Sequence, residues 1–226
     1  MISAILCDVE GTTTDLAFVH QTLSPYARRH IANFLRQQHA QPAVKSALLA
    51  LRTEADLPLA GLDRLIAELL HYIDIDKPSP VLKQLQAMIW AEGYISGQFT
   101  GHIYEDAYEQ IKRWHNAGKA VYLYSSSSIA AQELLFGHSD HGNVLPLING
   151  HFDSSVGSKR DSDSYRNIRE TLGIPAEQLL YVSAVHQELD AARQDGWHTV
   201  QISRQSPDRR STHTQVNTFL EIHTAP

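Results

Sequence analysis

The chain has 226 residues, 42% hydrophobic and 19% charged, enough for one core of ordinary size or one domain carrying a large insertion, and the composition is neither disordered nor membranous. Nineteen basic residues stand against 25 acidic ones for a net charge of −6. The basic residues are scattered, never more than two together as at Arg209 and Arg210, which excludes a nucleic-acid footprint and points to a small-molecule partner. A single cysteine, Cys7, excludes an intramolecular disulfide, and no apolar run approaches the roughly 20 residues of a membrane helix, so the expected setting is the cytoplasm.

In chain order, residues 2–9 (ISAILCDV) form a short apolar run that ends in an acid, a glycine and threonines, the pattern of a buried parallel strand with a polar loop at its carboxyl end. From about residue 21 to 97 the period changes to 3.6. Ala27, Ile31, Phe34 and Leu35 open a series continued by Val44, Leu48 and Leu51, then Leu65, Ile66 and Leu69, then Leu82, Leu85 and Ile89. Four amphipathic helices are predicted, punctuated by Pro42, Pro58, Gly61, Pro78 and Pro80.

After Gly101 helix and strand alternate. A helix marked by Tyr104, Tyr108, Ile111 and Trp114 stops at Gly118, KAVYLYSSSS reads as a strand ending in hydroxyls, and Ile129–Phe136 return to helix. HFDSSV then reads as a short strand, Tyr165, Ile168 and Leu172 as a helix, QLLYVSAV as a strand, Leu189 and Ala192 as a helix, and WHTVQIS as a last strand. Val216, Phe219, Leu220 and Ile222 are expected to dock as one short element. This rhythm implies an α/β fold, a Rossmann-like parallel sheet of residues 1–20 and 98–226 interrupted by an all-helical insertion of 21–97. His138 and His141, in GHSDHG, have no third ligand nearby and are assigned no metal.

Ligands of an open parallel sheet sit beyond the carboxyl ends of its strands. Those ends deliver Asp8, Glu10, Gly11, Thr12 and Thr13; Ser125 to Ser128; Gly157, Ser158 and Lys159; and Ser183, Ala184 and Glu188. Asp8 is placed to attack phosphorus as a nucleophile, and Glu10, two residues on, to move a proton between water and leaving oxygen. Ser125 and Ser126 can hold phosphoryl oxygens and Lys159 can neutralise them. Each signal alone also fits a strand-end cap, a serine loop or a solvated lysine; their convergence in one chain order favours chemistry.

The segments DVEGTT at 8–13, the block from Lys77 to Tyr108 ending in GHIYEDAY, YLYSSSSIAAQELLFGH at 122–138 and SKRDSDSY at 158–165 resemble the enolase-phosphatases (acireductone synthases) of methionine salvage, within the haloacid dehalogenase-like hydrolases. The likeness is weakest over 40–76 and after 203. It implies a Mg²⁺-dependent enzyme that enolises and dephosphorylates 2,3-diketo-5-methylthiopentyl 1-phosphate through an aspartyl-phosphate. Carried over by position, Asp8 is nucleophile and Mg²⁺ ligand, and Glu10 offers its carbonyl to the metal. Ser125 and Ser126 bind substrate, Lys159 pairs with the phosphate, and 21–97 is a cap. A closed cap would exclude water from a reactive enol.

Two positions depart from that pattern. Ser127 stands where the family has glycine, a cost if the backbone there needs a positive φ. Ala184 stands where the family has a Mg²⁺-binding aspartate, with Glu188 as a possible substitute. Activity is therefore expected to be impaired. The alternatives are a phosphatase of the same superfamily acting on another small phosphoester, or a non-catalytic phosphate-ester binding protein. With no heptads visible, a monomer is expected.

Overall fold

The computed structural model describes residues 1–224, which divide into two units: Met1–Leu16 with the chain from Thr100 onward, and Ala17–Phe99. The chain starts with strand β1 (Ala4–Asp8), then makes a one-turn helix α1 (Leu16–Phe18) and a wide π-type turn at Val19–Leu23. It continues through α2 (Ser24–Gln38), α3 (Pro42–Glu54), α4 (Leu62–Asp74) and α5 (Pro80–Ile95). The 3.6-residue period thus becomes four helices, and the π-type turn ahead of them has no counterpart in the sequence pattern.

Each of these helices buries the face its period marks, including Ile31 and Leu35 of α2, Leu51 of α3, Leu65 and Leu69 of α4, and Leu85 and Ile89 of α5. Pro42 and Pro80 stand in the first turns of α3 and α5, where the missing N–H costs nothing. Ser79 caps α5 by accepting from the Leu82 N–H at 3.1 Å, a contact worth about 1 kcal/mol. Gly93 of α5 is required by contact, since a Cβ there would lie 2.4 Å from the Phe99 ring.

The other unit alternates as the pattern implies: α6 (Glu105–Asn116), β2 (Ala120–Tyr124), α7 (Ile129–Gly137), β3 (Gly150–Phe152), α8 (Ser162–Leu172), β4 (Leu179–Ser183), α9 (His186–Gln194), β5 (His198–Ile202) and β6 (Thr214–Val216). The six strands form one parallel sheet in the order β3-β2-β1-β4-β5-β6. β1 and β4 are buried along their whole length, which is why AILCD and LLYVS read as continuous apolar runs. Tyr165 of α8 packs edge-on against Tyr124, Tyr181 and Trp197 with centroids 5.1–5.9 Å apart, in a core whose aromatic truncations cost about 3–5 kcal/mol each.

Three expectations change. The strand read across HFDSSV ends at Phe152, because the Asp153 carboxylate accepts from the Ser155 N–H at 2.9 Å and turns Ser154–Val156 into a 3₁₀ turn. WHTVQIS is not the last strand: β6 adds three residues, too short to show a period. The tail docks as two elements, β6 and a 3₁₀ turn at Phe219–Glu221, with Phe219 and Ile222 buried and Leu220 exposed. Among the described residues no helix is long and apolar enough to cross a membrane.

The order of crossing reverses at β1, which has β2 on one side and β4 on the other. Such a switch point opens a crevice at the carboxyl end of the strand. Asp8 pairs with Tyr124, and Cys7 with Val182, which sets Ser183 level with Asp8; Ser183 pairs in turn with Gln201.

Candidate active site

Asp8 ends β1 and is 2% exposed. A buried carboxylate needs donors on both oxygens, and the loop that follows provides them. Oδ1 accepts from the Val9 N–H at 2.8 Å, and Oδ2 from Thr12 Oγ1 at 2.6 Å and Ser183 Oγ at 3.3 Å. The loop is wound tightly: the N–H groups of Thr12, Thr13 and Thr14 all lie 3.0–3.2 Å from the Val9 carbonyl, and Gly11 takes a φ of 80° that a side chain would disfavour.

Lys159 reaches the same carboxylate. Its Nζ donates to Asp8 Oδ1 and lies 3.0 Å from Glu188 Oε2, with the side chain 9% exposed. Glu188 stands in the first turn of α9 and turns inward, where its Oε2 also accepts from Tyr181 OH at 2.8 Å and Ser183 Oγ at 2.9 Å. Burial works against the Lys159 ammonium, yet the Asp8 and Glu188 charges outweigh it and push its pKa up. Burial, and then the Asp8 charge, push Glu188 up despite its donors. The strand-to-helix loop before Lys159 is fixed by Gly157, at φ 132°, where a Cβ would lie 2.2 Å from Ser164 Oγ. Tyr124 OH donates to its carbonyl at 3.0 Å and Tyr165 OH to that of Lys159 at 2.7 Å.

Glu10 faces β2. Its carboxylate accepts from Ser125 Oγ at 2.7 and 2.9 Å and from Ser127 Oγ at 2.6 Å. Ser127 is therefore a partner of Glu10, and its φ is not positive, so the backbone cost expected of a side chain at this position does not arise. Ser125 is buried and its Oγ also accepts from the Ser127 N–H at 2.8 Å, whereas Ser126 is exposed. Ser128 caps α7 by accepting from the Ala131 N–H. Asp8, Glu10, Ser125, Lys159 and Glu188 thus come from the loops at the carboxyl ends of β1, β2, β3 and β4.

Residues 2–194 match the haloacid dehalogenase-like hydrolase family. The chain is 50% identical to enolase-phosphatase E1 of Erwinia tasmaniensis over 223 residues, 99% of this chain and 97% of that one. It is also 50% identical to enolase-phosphatase E1 of Serratia proteamaculans, covering 98% and 97% of the two chains. Among solved structures, the UTR4 protein of Saccharomyces cerevisiae superposes with a TM-score of 0.83 at 32% identity, covering 98% of this chain and 100% of that one. The chain belongs to the enolase-phosphatase E1 branch of the haloacid dehalogenase-like hydrolases.

Membership in that family implies Mg²⁺, which takes six oxygens in near-ideal octahedral geometry. The carboxylates at the strand ends fall short of this. Position 184 carries a methyl group, its N–H donates to Thr12 Oγ1 at 2.9 Å, and its carbonyl accepts from Gln201 Nε2 at 3.0 Å. Ala184 and Gly11 line a cleft of about 330 Å³ with Asp15, Tyr104, Gln201 and Arg204. One buried acceptor beside it, Gln201 Oε1, has no partner among the described residues. Among those residues no three His, Cys, Asp or Glu side chains are grouped to hold a metal. Two carboxylates, both paired with Lys159, do not make a Mg²⁺ site, and Glu188, the candidate substitute, gives its Oε2 to Lys159, Tyr181 and Ser183.

This member of the enolase-phosphatase branch also uses residues that sequence reasoning passed over. Arg204, in the tail where the resemblance is weakest, donates through Nη2 to the Thr12 carbonyl at 3.1 Å while Nη1 pairs with Asp106 at 3.0 Å. Its guanidinium lies 3.6 Å from the Tyr104 ring centroid. The Tyr104 N–H donates to the Thr13 carbonyl at 2.9 Å, and the Asp15 N–H to His102 Nδ1 at 3.0 Å. The GHIY block thus braces the loop that holds Asp8. His141, read as half of an unsupported metal pair, stacks on Tyr108 at 4.4 Å and places a ring nitrogen 2.9 Å from the Ile103 carbonyl, a structural role.

Proposed function

We propose that the protein is an enolase-phosphatase that converts 2,3-diketo-5-methylthiopentyl 1-phosphate into the acireductone of methionine salvage, through an aspartyl-phosphate on Asp8. The observation that carries this reading is the buried Asp8 carboxylate at the switch point of the sheet, held by Thr12 and Ser183 and charge-paired with Lys159. After enolisation, an Asp8 oxygen attacks phosphorus, and the new O–P bond forms as the bond to the enol oxygen breaks. Glu10 gives the leaving oxygen its proton. Water then attacks phosphorus, gives a proton back to Glu10, and frees Asp8 and inorganic phosphate.

The protein's own residues supply the rest. Ser125 and Ser126 bind the phosphoester, and Lys159 compensates the charge gathering on the phosphoryl oxygens, the kind of fixed electrostatic contact worth about 2.7–4 kcal/mol in a transition state. Mg²⁺ is the cofactor that the family implies; with Ala184 in place of a carboxylate, no step is routed through it. The single, buried thiol of Cys7 and a charged substrate go with a cytoplasmic setting.

The test is to supply the diketone phosphate and follow both released phosphate and the absorbance of the enediol product. Release from other phosphoesters with none from the diketone would move the protein to another phosphatase specificity. Ala184 favours one further reading, a phosphate-ester binder. Saturable binding of the diketone phosphate without turnover at saturating Mg²⁺ would establish that one instead.

A further inference from the structure

The family's metal and this chain's donors disagree at one strand end. A resident Mg²⁺ needs several oxygens there at once, and the protein has two carboxylates within reach, both already paired with Lys159. Asp8 Oδ2 is shared by Thr12 and Ser183, and Oδ1 by the Val9 N–H and Lys159. Glu188 Oε2 is shared by Tyr181, Ser183 and Lys159. The third place, at the end of β4, holds a methyl group whose backbone N–H and carbonyl are already bonded to Thr12 and Gln201.

We propose that this protein holds no divalent cation of its own beside Asp8, and that the Lys159 ammonium, bridging Asp8 and Glu188, is the resident cation of the site. A point charge on a flexible stem suits that task, because three N–H donors reach two carboxylates without the six oxygens that Mg²⁺ demands. The bridge also explains why Glu188 turns inward from α9 instead of lying on its solvent face, and why Tyr181 and Ser183 both donate to it. A divalent cation then enters only with a ligand that brings its own oxygens, such as a phosphoester. The inference rests on the proposed function only for that last step; the empty-handed protein is described by the first.

Isothermal titration of the full chain with MgCl₂ alone, without phosphoester, tests this directly. The expected result is no saturable binding for the natural chain up to about 10 mM and, for Ala184→Asp, one saturable site at about 1 mM or below, a gain of at least about tenfold. Saturable binding of one Mg²⁺ by the natural chain in the millimolar range or below overturns the proposal. So does an Ala184→Asp protein, folded by circular dichroism, that binds Mg²⁺ no better than its parent. Should the aspartate variant not fold, the titration of the natural chain decides alone. Turnover of the diketone phosphate is measured separately in excess EDTA and in Mg²⁺; failure of turnover in both refutes the enzymatic reading and leaves the cation result intact.

Discussion

The two sides of Asp8 are built differently. Toward β2 and β3 the acids are met by donors: Glu10 by Ser125 and Ser127, and Asp8 by Lys159, whose loop is pinned by two tyrosine hydroxyls. Toward β4 and β5 there is a methyl group, a cleft, and a buried amide oxygen without a partner. A phosphoryl group asks for fixed donors and a cation, which the first side has; a metal asks for several anionic oxygens, and the second side offers Glu188 alone, already paired with Lys159.

The largest expected effect comes from the residue both sides share. Asp8→Asn keeps the shape and one acceptor oxygen but is a far poorer nucleophile, so phosphate release should fall by about three orders of magnitude or more, about 4 kcal/mol, with the fold intact by circular dichroism. Retention of a few per cent of the activity would place the nucleophile elsewhere.

Lys159→Met tests the complete side alone. Loss of the ammonium should lower kcat/KM by about 2–4 kcal/mol. It should also leave Asp8 and Glu188 buried without their cation, and the breaking of such a pair costs about 3–5 kcal/mol unless one acid takes up a proton. Because Glu188 already sits above the usual carboxylate range, it is the acid that should take it up. A Tm unchanged at pH 8 together with an unchanged kcat/KM would remove Lys159 from both roles.

How far this contrast was legible in the sequence depends on the kind of signal. β1, β2 and β4 are apolar runs that end in reactive side chains, so Asp8, Ser125 and Ser183 can be placed at one edge from periodicity and chain order, and Lys159 from the loop after the shorter β3. Thr12 and Ser183 were visible as strand-end hydroxyls, but nothing in their spacing says that both donate to Asp8 Oδ2. Arg204 lies 192 positions from Thr12, beyond the region of clear resemblance, and only the return of β5 to the sheet brings them together. Ser127 was read as a backbone cost because a missing glycine suggests positive φ, and the side chain's own partner, Glu10, lies 117 positions away.

Thr12 joins the two sides, donating to Asp8 Oδ2 and accepting from the Ala184 N–H. Thr12→Val keeps the shape, strands the Ala184 N–H and leaves Asp8 Oδ2 with only the longer Ser183 contact, and a buried polar group left without a partner costs about 1–3 kcal/mol. The expected outcome is a clear loss of stability in urea and a drop in kcat/KM of about tenfold, smaller than that of Lys159→Met. If stability falls while kcat/KM is unchanged, Thr12 supports the loop without orienting Asp8.

The smallest effect is expected at Ser127, and it separates structure from resemblance most cleanly. The family pattern puts glycine there, which suggests that Ser127→Gly should relieve strain and stabilise the protein. The structure argues the reverse: φ at 127 is not positive, so nothing is relieved, and the substitution removes a 2.6 Å hydrogen bond to the Glu10 carboxylate. Glycine also brings a larger backbone entropy to lose on folding, about 0.5–1 kcal/mol. Half-buried and partly solvated, the lost hydrogen bond adds about 1 kcal/mol. Ser125 still holds both Glu10 oxygens, so phosphate release should change by no more than about threefold, or 0.7 kcal/mol. Denaturant melts of the two proteins check the sign. A midpoint that rises on Ser127→Gly would mean that the backbone at this turn is held against its preference, and that the complete side of the site is itself a compromise.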